Sequence, residues 1–180
     1  MILPKLAFEE DSSLFSDRDT FVSESSTNFK DEVKTFIEKF EKKEKDNFIS
    51  QFKHLIDESD FEYGFSSPAE EYVKESLKKF GPFAREWINE IFIKNFDNEH
   101  IISSILKILM HLDYGALEPQ GITMLLAALT HKSATVREDV IRTFENWENP
   151  EYISILKNLK CEEPRLQTML DEVIEYLESL

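Results

Sequence analysis

Histidine, cysteine and paired carboxylates are the side chains here best suited to chemistry, and their spacing argues against it. The four histidines, His54, His100, His111 and His131, are scattered. A helical zinc site sets two histidines four residues apart with a carboxylate between them, and none of the four has that neighbour. His100, Lys107 and His111 can share one helix face, but no nucleophile or paired acid accompanies them. Cys161 is the single cysteine, so no internal disulfide forms and no Cys/His cluster exists. The acid doublets Glu70-Glu71, Glu162-Glu163 and Asp171-Glu172 could do general acid–base work only inside a cleft. Their places are helix first turns and solvated faces, where the helix dipole and solubility account for them. No G-x-S-x-G elbow or phosphate-cradling glycine loop occurs. The expectation is a protein that is not an enzyme, with no catalytic residue, no metal site and no cofactor.

Composition narrows the partner. With 36 acidic against 21 basic residues the formal charge is −15, which repels phosphate backbones and anionic membranes and favours a basic protein. The lysines at 42, 43, 45, 78 and 79 alternate with acids and build no positive funnel for a nucleic acid. No apolar run approaches the roughly 20 residues that span a bilayer. The short apolar start MILPKLAF gives way to acids where a signal peptide would continue, so a cytoplasmic location is expected.

The elements that must position such a surface are helices. Four Gly and six Pro in 180 residues are too few for a turn-rich β fold, and no stretch alternates as a strand does. Residues 1–28 carry acids, Ser and Thr without a helical period and are expected to form an irregular arm. Residues 29–180 are expected to form a single all-helical domain, with N-terminal helices over 29–80 and three helix pairs over 82–180. A first helix is expected after Asn28, with the stripe Phe29, Val33, Phe36, Ile37 and Phe40. The charge run 41–46 is either a break, folding two helices into a hairpin, or an exposed turn of one long helix. Phe48, Ile49, Phe52, Leu55 and Ile56 resume the stripe.

An acidic, aromatic loop spans 57–67, and Ser67-Pro68-Ala69-Glu70 reads as a capping box that opens the next helix. Gly81-Pro82 stops it. Helices then follow at about 82–95, 98–112, 119–131, 134–147, 150–159 and 163–179, each with one apolar stripe. The one at 98–112 is apolar over so wide an arc that it should lie centrally. Trp87 and Trp147 fall on stripes and are expected in the core.

Helix pairs beginning near Pro82, Pro119 and Pro150 recur every 30–40 residues or so, the period of two-helix repeats. The segment 134–159, ATVREDVIRTFENWENPEYISILKNL, resembles the junction between two HEAT-type repeats through Val136-Arg137 and Asn149-Pro150. The resemblance covers about 119–180 and extends to 82–118 with His100-Ile101 in place of the Val-Arg pair. Arg165-Leu166 takes that place in the last repeat. It implies a right-handed α-α superhelix, of about nine helices in all, whose second helices line one face used to bind proteins. It also implies that Arg137 bridges to an acid of the neighbouring repeat.

If second helices 98–112, 134–147 and 163–179 lie side by side, each exposes a polar ridge. These ridges are Ser103, Ser104, Lys107 and His111; then Glu138, Asp139, Arg142 and Glu145; then Gln167, Asp171, Glu172 and Glu175. The loop aromatics Phe61, Tyr63 and Phe65 lie off any helical stripe. They either anchor a basic partner or pack back onto the first helices. The function expected is a non-catalytic interaction module for a basic protein, and a toxin-neutralising immunity protein or antitoxin fits that size and acidity. An adaptor or assembly scaffold is the alternative, and less favoured is a HEAT-like nucleic-acid binder or DNA glycosylase.

Overall fold

The computed structural model describes residues 16–59, 61 and 66–180, with side chains from residue 31 on. The described residues are helical throughout, without a strand. The elements are α1 (Ser16–Glu58), α2 (Pro68–Phe80), α3 (Pro82–Lys94), α4 (Glu99–Met110), α5 (Tyr114–Leu117), α6 (Gln120–Ala128), α7 (Ala134–Trp147), a 3₁₀ turn (Pro150–Tyr152), α8 (Ile153–Leu156) and α9 (Pro164–Ser179). No helix among the described residues is long and apolar enough to cross a membrane.

The chain divides into two compact units at Glu44/Lys45. Up to Glu44 the described chain is one continuous helix. The expected arm is therefore helical from Ser16, and residues 1–15 lie outside the described residues. Asn28 does not cap a helix start, and the charge run 41–46 does not break the helix. No Gly or Pro falls between Ser16 and Glu58, and Ser, Thr and Asn in a helix interior cost only a few tenths of a kcal/mol each beyond Ala, about 0.7 at most. The stripe Val33, Phe36, Ile37 and Phe40 was expected to be core, but all four are exposed, Phe36 by 70 %. The helical period was legible there, yet nothing among the described residues covers it.

From Lys45 on there is one hydrophobic core. Phe48, Phe52 and Ile56 on the last part of α1 are buried, and the Phe48 ring packs on Phe52, Tyr72 and Trp87 at centroid distances of 5.5 Å. Fully burying side chains of this size stabilises by about 1.5–3 kcal/mol each. Both tryptophans are buried, as expected. The wide apolar arc of α4 is buried from Ile102 to Met110 except at Lys107, and α4 packs on α2, α3, α6 and α7.

Three side-chain to α4 hydrogen bonds set the register between α4 and α7. Ser103 Oγ donates to Asp139 at 2.5 Å, Thr143 Oγ1 reaches the Leu106 carbonyl at 3.5 Å, and Trp147 Nε1 donates to the Leu109 carbonyl at 2.9 Å. The numbers rise together on both helices, so α4 and α7 run parallel. On its other side α7 packs along α9. There Arg137 pairs with Glu163, Glu138 with Arg165, and Glu148 with Tyr176, so these two are also parallel. The sequential helices α6 and α7 run antiparallel: Gly121, at the start of α6, lies against Trp147 at the end of α7.

Local signals account for most boundaries. Ser67 Oγ accepts from the Glu70 N–H at 3.1 Å, Asn98 caps α4, and Asn149 accepts from the Glu151 N–H at 3.0 Å. Gly81, at φ 53, separates α2 from α3. Residues 113–118, expected as a loop, contain the short helix α5, and the expected helix 150–159 is a 3₁₀ turn followed by four α-helical residues.

Candidate functional site

The acids expected to form one ridge divide into two kinds. Asp139 is 6 % exposed, facing α4 rather than solvent. Ser103 and Ser104, expected on the exposed face of α4, are buried with it. The reason is the parallel packing of α4 on α7, which turns that part of both helices inward. Burial raises the Asp139 carboxyl above its ordinary 3.8, opposed by the hydrogen bond from Ser103 and by nearby Lys107. Reversing Asp139 to lysine would bury an uncompensated charge at a cost of roughly 3–5 kcal/mol, so lost binding in that variant would report unfolding rather than contact.

Glu138 is also committed. One carboxylate oxygen accepts from Arg142 at 2.8 Å and the other forms an ion pair with Arg165 at 2.9 Å, with Glu138 mostly covered. Arg142 is thereby occupied within the protein. Arg137 bonds to the His131 carbonyl and to Glu163, the residue that precedes α9. Arg137 thus joins α7 to an acid at the start of α9.

Four expected acids do reach solvent. Glu145 on α7 and Asp171, Glu172 and Glu175 on α9 are exposed. Of these, Glu145, Glu172 and Glu175 enter no ion pair among the described residues, while Asp171 accepts only from its neighbour Gln167 at 2.8 Å. Between the two helices lies a residue that the sequence did not single out. Tyr176 is 38 % exposed and donates its hydroxyl to Glu148 at 2.5 Å. The carboxylate it bonds to, with Glu145 nearby, raises its phenol above the ordinary 10. Tyr176 had a signal available, lying off the stripe of Leu170, Val173 and Leu177, but its neighbour across the groove is visible only in three dimensions.

The remaining expected contacts sit apart from this face. Lys107 is half-buried, and with Phe61, His100 and Ser103 it lines a cleft of about 530 Å³. Phe61 packs against the core, which is the second of its two expected roles. Tyr63 and Phe65 lie outside the described residues.

His111 faces Glu70, its Nδ1 lying 3.1 Å from the carboxylate, and Lys74 donates to the same group at 2.6 Å. Glu70 therefore completes no capping box: the Ser67 half forms, but its carboxylate is buried and turned toward α4. Burial works against the charged form of Glu70. Hydrogen bonds from Lys74, His111 and Ser66 outweigh it and hold the carboxyl below its ordinary 4.5.

Burial, with Glu163 nearby, raises the Cys161 thiol above its ordinary 9.0 despite Arg137, so at neutral pH it stays protonated and weakly nucleophilic. Among the described residues no three of His, Cys, Asp and Glu gather so as to hold a metal ion. What the geometry can do is present Glu145 and Glu148 beside a tyrosine where α7 and α9 pack side by side, with Asp171 and Glu175 lining a cleft next to Lys157 and Lys160. No protein-family model, curated protein or solved structure matches the chain.

Proposed function

We propose that this protein is a non-catalytic interaction module, and that the face built by Glu145, Glu148, Asp171, Glu172, Glu175 and Tyr176 binds a basic protein. One observation carries this: an exposed tyrosine set beside Glu145 and Glu148, on helices whose Glu145, Glu172 and Glu175 are exposed with no ion-pair partner among the described residues. Aromatic residues are enriched among interface hot spots, and surrounding charge raises the rate of encounter with an opposite surface. The parallel run of α4, α7 and α9, each the second helix of a pair, supports a HEAT-like superhelix, as does the Arg137–Glu163 bridge. In that arrangement the acidic face belongs to the surface that such repeats use for proteins. A toxin-neutralising immunity protein or antitoxin is the specific role that best suits an acidic module of this size, with adaptor as the alternative.

The test is co-purification from the host at low salt, followed by association kinetics with the recovered protein. A stoichiometric basic partner is expected. Reversing Glu145, Asp171, Glu172 and Glu175 to lysine together should slow association at least about tenfold, worth ~1.4 kcal/mol if all of it appears in affinity, with helix content unchanged. Recovery of no such partner, or unaltered kinetics in the folded quadruple variant, refutes the proposal.

A further inference from the structure

Arg85 is the exception among the arginines. Four have described side chains, and three are paired with glutamate: Arg137 with Glu163, and both Arg142 and Arg165 with Glu138. Arg85 has no carboxylate partner among the described residues. Its Nη1 reaches only the Ala116 carbonyl at 3.4 Å, and its Nε is buried without a hydrogen-bond partner. In a chain with 36 acids and 21 bases an unpaired guanidinium is not explained by scarcity of partners. A planar, five-donor group left with open donors beside a cavity is suited to an oxyanion.

The cavity is there. It encloses about 390 Å³, within the range of small-molecule sites, and lies among α2, α3, the end of α4 and α5. Leu77 and Leu112 give it apolar walls, and Arg85, Lys78 and Lys74 give it a cationic side, with His111 beside them. Lys74 is committed to Glu70 and Glu71. Arg85 and Lys78, the latter also interacting with Glu71, remain against one lining acid, Asp113. The lining of the cleft is thus net positive, with Glu70 and Glu71 lying behind Lys74, in a protein whose overall charge is −15.

That contrast selects the ligand. A polyanion or an acidic protein would meet the repulsive surface over its whole length. A small monoanion inside the cleft sees mainly the lining, because charges beyond roughly 8 Å are screened at physiological salt. The apolar walls require an apolar body behind the charged head. We infer that this cavity binds a small monocarboxylate with an aliphatic tail, the carboxylate on Arg85 and Lys78 and the tail against Leu77 and Leu112. The inference does not depend on the acidic face of α7 and α9, which other residues build.

The experiment is calorimetric titration of the full chain with octanoate, octyl phosphate and octan-1-ol, alongside nuclear magnetic resonance of the Arg85 Nε–H. Octanoate should bind as one saturable site and shift the Arg85 resonance. Octan-1-ol should bind at least about tenfold more weakly. Arg85→Gln should weaken octanoate at least about tenfold, and Lys78→Gln should weaken it less, with circular dichroism unchanged in both. Absence of saturable octanoate binding, equal binding of the alcohol, tighter binding of octyl phosphate, or an unmoved Arg85 resonance each overturns the inference. If Arg85→Gln does not fold, the resonance in the native chain and the Lys78→Gln titration decide it.

Discussion

The Ser103–Asp139 contact can be tested by asking which partner the fold misses more. Asp139 is a buried carboxyl whose one hydrogen-bond donor is the Ser103 hydroxyl at 2.5 Å. Removing a donor from a buried charged acceptor leaves that acceptor's desolvation uncompensated, about 2 kcal/mol here. Ser103→Ala should cost that amount at pH 7. Asp139→Asn keeps an acceptor for Ser103 and removes the buried charge, so it should leave stability at pH 7 equal or higher.

The sign in pH follows from the raised carboxyl. The folded state holds a proton that the unfolded state has released above 3.8. Ionising Asp139 therefore subtracts stability as pH rises from 3.8 through the folded value, and the loss is complete above it. The Ser103→Ala deficit and any Asp139→Asn gain must both shrink as pH falls toward 3.8. Urea unfolding followed by circular dichroism measures this. With a slope near 2 kcal/mol/M, the Ser103→Ala midpoint should fall by about 1 M at pH 7. An Asp139→Asn loss larger than that of Ser103→Ala, or a Ser103→Ala deficit independent of pH, would falsify the buried-acceptor account.

Glu70 should titrate in the opposite sense. Its carboxyl is lowered below 4.5, so its contribution is present above 4.5 and is lost as pH falls through the folded value; Glu70→Gln should flatten the acid limb of the stability curve. The two parts of α1 should answer differently to truncation. Phe52→Ala, at a fully buried site, should cost about 3–5 kcal/mol, whereas Phe36→Ala, at a site 70 % exposed, should stay within about 0.5 kcal/mol in urea unfolding of the full chain. Gly121→Ala places a Cβ 2.9 Å from Leu117 Cβ and 3.2 Å from Trp147. It should cost about 1–3 kcal/mol of overpacking, measured the same way.

The sequence by itself determined the helical class and most of what punctuates it. Ser67-Pro68, Gly81-Pro82 and Asn149-Pro150 act on their own backbone within a few residues, so they can be read without knowing the fold. The stripes of α4, α7 and α9 were legible for the same reason: period 3.6 is a local property. Period says that a face is apolar but not that anything covers it, which is why the stripe of Val33, Phe36, Ile37 and Phe40 reads as core and is exposed. The polar residues show the limit most sharply. Asp139 and Glu145 are both acids on α7, and only the parallel packing of α4 against one side of that helix buries the first and leaves the second in water. In the same way Glu70 meets His111, 41 residues away, and Tyr176 meets Glu148, 28 residues away. Such pairings depend on which helices become neighbours and at what register. Packing decides that through many weak contacts at once, and no local spacing encodes it.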